Sequence, residues 1–231
     1  VKIVALLSWW NENPAWLTRC VTPLGRFVDH LVAVDGAYEH VSGSHEHARS
    51  SGDQADAIVA ACDGTGLALT LHRPTEPWIG DEVAKRTFMF QAAALLTEPG
   101  DWLFVVDADE FVQEVPASIR SQLEQATEDG FEVGQIDMAS PPPARGVDLS
   151  RRFFLADPSF RVEGRHFHYV AGPTTSPRLL WGDGSDPRLL PAVHIEGFRS
   201  EHWTAKRHPY RRQAQLDYYA RRKKLRLEHD V

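Results

Sequence analysis

The chain has 231 residues, 42% apolar and 25% charged, which suits one large or two small globular domains. No apolar run approaches the roughly 20 residues that span a bilayer. The two cysteines, Cys20 and Cys62, fit no CxxC or zinc spacing and are expected as buried or free thiols in a reducing, cytoplasmic compartment. Val1-Lys2-Ile3 opens directly into a strand-like segment, which argues against a secretory leader here, and the missing initiator Met fits a trimmed start. Net charge is −7 but uneven. Residues 1–110 hold 7 basic and 16 acidic side chains, residues 111–198 hold 8 and 12, and residues 199–231 hold 10 and 4. An acidic front half suits a cation site. The basic end suits phosphates, nucleic acid or a membrane surface, or is simply a solvated helix face.

Residues 2–9 form an apolar run expected as a buried first strand. Asn13 then reads as an N-cap with Pro14 at the first helical position, opening a helix to about Gly25. Leu31 to Val34 is a second short strand ending in Asp35-Gly36. Residues 37–52, with Gly, Ser and three histidines, read as a mobile loop. A helix from Asp53 to about Cys62, a strand from Leu67 to Leu71 and a helix from Gly80 to Leu96 follow. Strands alternating with helices predict a largely parallel sheet.

The run from Trp102 to Phe111 is the most informative. Its apolar residues read as a strand buried on both faces, and Asp107, Asp109 and Glu110 fall at its carboxyl end, where open α/β sheets place ligands. Asp107 and Asp109 would face the same way if strand geometry persisted. Three like charges this close require a cation or hydrogen-bond donors. An oxygen-rich site of this kind suits Mg²⁺ or Mn²⁺ shared with a substrate phosphate. Beyond it, a helix is expected over Pro116 to Glu128 and a strand over Phe131 to Met138. Residues 150–198 read as short strands and loops, and Thr204 to Leu227 as a basic helix. There is no internal repeat and no linker, so the expectation is one α/β domain, residues 1–231, with an irregular C-terminal half.

The order of strand one, an Asp ending strand two, a Lys-Arg helix and then Asp107-Ala108-Asp109 resembles the GT-A glycosyltransferases, most closely family 2 and its relatives. The resemblance covers residues 1–111, with an echo at Glu201-His202 and the Arg-rich end. It implies a GT-A fold whose first half binds a nucleotide-sugar and whose second half, 112–231, faces the acceptor. It implies a metal-dependent hexosyltransferase using a nucleoside-diphosphate sugar, UDP-sugar favoured, with Mn²⁺ or Mg²⁺ as Lewis acid on the leaving diphosphate. Asp109 would ligate the metal, Asp107 would share metal and ribose, and Glu110 would orient either acid or face the acceptor. Asp35 would meet the base or ribose, with Ser8 and Trp9 beside the base. Lys85 and Arg86 would face the diphosphate; otherwise they form ordinary helix-surface pairs, such as Asp81 with Lys85. His202 would complete the metal site. His166 and His168 alternate on one strand face and would line an acceptor pocket. Glu163 is the candidate general base, with Asp137 and Asp157 behind it, and stereochemistry stays open. The acceptor would be a glycan hydroxyl or a hydroxylated nucleic-acid base. Two other classes compete. A nucleotidyltransferase would want a Gly-rich basic loop where Trp9 to Glu12 stand. A non-catalytic sugar- or nucleic-acid-binding module would need no metal.

Overall fold

The computed structural model describes residues 1–39, 44–79, 81–138, 146–163, 168–182 and 189–203; the side chains of Asp81 and Asp137 are outside that description. The expected basic helix after Thr204 and the candidate His166 therefore lie outside the described residues. The chain is a mixed α/β structure. Its main sheet has eight strands in the order β3-β2-β1-β4-β7-β6-β11-β5. In chain order these are β1 (Ile3–Ser8), β2 (His30–Val34), β3 (Ala68–His72), β4 (Trp102–Asp107), β5 (Glu110–Glu114), β6 (Gly130–Asp137), β7 (Val147–Leu155) and β11 (Val193–His202). A second sheet, β10-β9-β8, joins β8 (Arg161–Val162), β9 (Tyr169–Ala171) and β10 (Arg178–Trp181).

The first four strands pair in parallel, as the alternation with helices predicts. β1, β2 and β4 are short apolar runs because both their faces are covered, while β3 at the sheet edge is only partly buried. Ile3, Ala5 and Leu7 join one core with Trp102, Phe104 and Val106, beneath α1 (Pro14–Val21) and α2 (Gly52–Thr65). Val4 and Leu6 join the other with Leu103 and Val105, against Met89 and Phe90 of α3 (Asp81–Ala94). The period of two thus divides β1, β2 and β4 between two cores.

Several boundaries differ from the sequence reading. Asn13 caps α1 through Ala15 N, as expected, but the α-helix stops at Val21 and tightens into a 3-10 turn over Thr22–Arg26. Pro23 has no N–H to continue the α-helical ladder. The expected helix over 116–128 shrinks to α4 (Ile119–Glu124). The region after residue 146 is more ordered than the irregular reading implied, because β7 and β11 are long strands inside the main sheet. β7 enters antiparallel between β4 and β6.

The sheet is strongly curled, and chain connectivity requires it. β4 and β5 are separated by Ala108 and Asp109 alone, yet β7, β6 and β11 lie between them in the sheet. Four interstrand steps cover about 19 Å in a flat sheet, whereas the link from Asp107 to Glu110 spans at most about 11 Å. The far edge therefore bends back onto β4, and the acidic turn sits at the seam.

Candidate functional site

Asp107 ends β4, Ala108 and Asp109 form a turn, and Glu110 begins β5. The three acids therefore do not continue one strand, and the two aspartates are not placed by strand alternation. Each has its own surroundings. Asp109 and Glu110 are buried, while the Asp107 side chain keeps 25% exposure. Glu110 accepts hydrogen bonds from Gln135 Nε2 at 2.9 Å, from the backbone N–H of Asp107 at 3.1 Å and from Arg152 Nη2. Burial raises its pKa, opposed by Arg152. Such bonding makes Glu110 a brace for the turn. Asp107 Oδ1 accepts from Arg86 Nη2 at 2.6 Å, and Arg152 Nη1 lies 3.8 Å from its Oδ2.

His202 reaches the seam from the other end of the chain. It is the last residue of β11, paired in register with Glu110 of β5 and Asp137 of β6. The basic helix expected after Glu201-His202 lies outside the described residues. Trp203 N donates to Asp109 O at 2.9 Å, which ties the strand end to the turn. His202 Nε2 then stands 3.5 Å from Asp109 Oδ2. Burial disfavours the imidazolium, but the hydrogen bond and charge of Asp109, with Glu110 and Asp107 behind it, raise the His202 pKa. Just outside, Trp16, Phe111 and Trp203 pack edge to face, and the Arg19 guanidinium sits 4.3 Å from the Phe111 ring centre and 2.9 Å from Glu201.

The remaining predicted residues lie around β1 and β2. Ser8 pairs in register with Asp107. Trp9 is buried in the core, and Trp10 Nε1 donates to His47 O at 3.1 Å. Asp35 is fully buried; its oxygens accept from Gly36 N, from Ser50 N and Oγ, and from Arg73 Nε at 3.4 Å. It fastens the expected mobile loop, part of which is thus tied down. Gly36 has φ +119°, and a Cβ there would meet Trp78 Nε1 at 2.6 Å, so only glycine fits the turn. Lys85 turns inward, and the expected Asp81 pairing lies outside the described side chains. Its Nζ, buried, donates to Trp9 O at 2.6 Å and Gly36 O at 2.9 Å, clipping the ends of β1 and β2 together. Burial lowers its pKa to about 7, against the pull of Asp35. Arg86 also binds Tyr169 Oη at 3.0 Å and Glu82 at 3.2 Å.

The acceptor-side candidates stand apart from the turn. Glu163, following β8, pairs with Arg161 Nη2 at 2.7 Å, and its N–H donates to His168 O. Asp157 is held by Ser159 and Arg178. Among the described residues no hydrogen bond or ion pair joins Glu163 or Asp157 to the acidic turn. Arg152 was missed by the sequence reading. The signal for it was present: an arginine in a strand that continues Phe153-Phe154 is buried and needs a carboxylate partner. Both cysteines are free and buried, as expected, and Cys20 Sγ lies 3.6 Å from Asp107 O.

No family model matches the chain. No curated protein matches it either. Several solved structures resemble it distantly, two of them as follows. One is mannose-6-phosphate isomerase from Helicobacter pylori, 13% identical with a TM-score of 0.38, matching 68% of this chain and 61% of that one. The other is a glycosyltransferase involved in the glycosylation of the major capsid of PBCV-1, 14% identical with a TM-score of 0.30, matching 67% and 60%. The chain thus spans less than two thirds of the length of either. Neither assigns it an activity. No helix among the described residues is long and apolar enough to cross a membrane.

A divalent ion was tested against these side chains. Among the described residues no group of three or more His, Cys, Asp or Glu forms a ready cage. The Asp109–His202 pair nevertheless fits an ion that keeps several waters and takes phosphate oxygens from its substrate. One carboxylate with one imidazole suits Mn²⁺ better than Mg²⁺. Asp107, facing two arginines, stands outside that pair.

Proposed function

We propose that the chain is a GT-A-type glycosyltransferase that moves a sugar from a nucleoside-diphosphate sugar, UDP-sugar favoured, to an acceptor hydroxyl with the help of Mn²⁺ or Mg²⁺. One observation carries the reading. Asp109 and His202, 93 positions apart in the chain, meet at 3.5 Å beside the carboxyl end of a central parallel strand. Such a pair, next to buried arginines, suits a diphosphate leaving group and its counter-ion.

The residues divide the work as follows. Asp109 and His202 would hold the ion, which when bound supplies Lewis-acid stabilisation of the charge that builds on the departing diphosphate. Arg86 offers guanidinium N–H groups to phosphate oxygens. Lys85 keeps the β1 and β2 ends at fixed separation, which shapes the place for the nucleoside beside Ser8 and Asp35. A direct ribose contact at Asp35 would exchange one of its bonds to Ser50 or Arg73. Glu110 holds the turn and does not meet the donor. Hydrolysis of UDP-, GDP- and dTDP-sugars with Mn²⁺ tests the reading. Asp109→Asn should lower turnover of the accepted donor about a hundredfold or more. Equal turnover by wild type and variant would sink the metal assignment.

A further inference from the structure

Two arginines close on Asp107 from different elements, Arg86 from α3 and Arg152 from β7. They are used unequally. Arg86 is engaged by Asp107, Tyr169 and Glu82. Arg152 is 5% exposed, spends Nη2 on Glu110, and has no hydrogen-bond partner among the described residues at Nε or Nη1. Its Nη1 is 3.8 Å from Asp107 Oδ2, an ion pair beyond hydrogen-bond reach. A buried guanidinium with two unused nitrogens is unfavourable unless something takes those N–H groups. Of the charged groups gathered here, Asp107 is more exposed than either arginine it pairs with. Two planar forks around one carboxylate are also the arrangement that receives phosphate oxygens.

We propose that Arg152 and Arg86 form a diphosphate cradle in which Asp107 is the resident stand-in. An incoming diphosphate takes the guanidinium groups, and the displaced Asp107 carboxylate becomes available to the cation held by Asp109 and His202. Nucleotide and cation then favour each other's binding, because each relieves a contact that opposes the other. Glu110, with Gln135 behind it, is a positioning residue that holds Arg152 in place. The ligand named here rests on the glycosyltransferase reading; the competition between Asp107 and an anion does not.

The test is calorimetric titration of the full chain with inorganic pyrophosphate in EDTA. Removing the resident anion should help: Asp107→Asn binds pyrophosphate about tenfold tighter than wild type, the size of one charge-assisted hydrogen bond regained. Arg152→Gln binds it about tenfold weaker, and Arg152→Lys, which keeps charge without the fork, recovers part of the loss. If Asp107→Asn binds no tighter than wild type, the stand-in role is overturned, and wild-type binding of UDP with Mn²⁺ then shows that the functional reading survives alone. If none of UDP, GDP and dTDP binds wild type with Mn²⁺, the functional reading falls, whatever Asp107→Asn shows. Should Arg152→Gln fail to fold, Asp107→Asn decides the matter by itself, since its carboxylate is partly exposed.

Discussion

Lys85 shows how far a single side chain was from its sequence reading. Position on a helix before an acidic strand marked it as a surface cation for phosphate. The structure turns it inward onto two backbone carbonyls, Trp9 O and Gly36 O, contacts no local pattern could reveal because they come from two other loops. Its buried ammonium has a measurable consequence. The folded chain releases this proton near pH 7, the unfolded chain near 10.5. Across that window the unfolded state binds more protons, so stability rises with pH. Thermal melts from pH 7 to 10 should show this rise, and Lys85→Met should flatten it; an unchanged slope would remove Lys85 as its source. For Arg152 the burial was legible but the partner was not. Its partner Glu110 lies 42 positions earlier in the chain, and nothing in the sequence says that β7 inserts beside β4. Asp109 and Asp107 were legible because a strand end alone locates them.

At the level of elements, the parallel strands β1, β2 and β4 could be read directly: apolar runs buried on both faces leave little choice between helix and strand once turn residues bound them. β11 could not. Its pattern is mixed, since Val193 and Arg199 are solvent-facing and Gly197 bends it with φ +78°. Its end is fixed by packing, with Trp203 wedged among Trp16, Phe111 and the Arg19 guanidinium. That clamp acts on His202 at one remove. Trp203→Ala should therefore weaken Mn²⁺ binding, followed by electron paramagnetic resonance, by about 10–100-fold, as loss of outer supports does at metal sites. Unchanged affinity would show that the β5–β11 ladder alone places the histidine.

On the scale of the whole molecule, an aromatic cluster helps to join the two halves of the chain. Phe27, just after the 3-10 turn, packs with Phe104 of β4, Phe153 of β7 and Phe198 of β11 at centroid distances from 4.7 to 6.3 Å. Phe153→Ala should cost about 3–5 kcal/mol, read from urea denaturation. Because that cluster crosses residue 111, wild type should unfold in one transition reported equally by fluorescence and circular dichroism; two separated transitions would mean the halves are independent. The curled seam has a consequence in time as well. β4 and β5 are complete once residue 114 has been made, but β5 is paired by β11, whose last residue is His202. An emerging chain can brace Asp107 with Arg86 at once and Glu110 with Gln135 and Arg152 later, but the contacts of Asp109 with His202 and Trp203 wait while the next 80 or more residues are synthesised. High contact order of this sort slows folding, and it means that the Asp109–His202 pair, the ion site of the proposed function, is completed late, as β11 slots between β6 and β5.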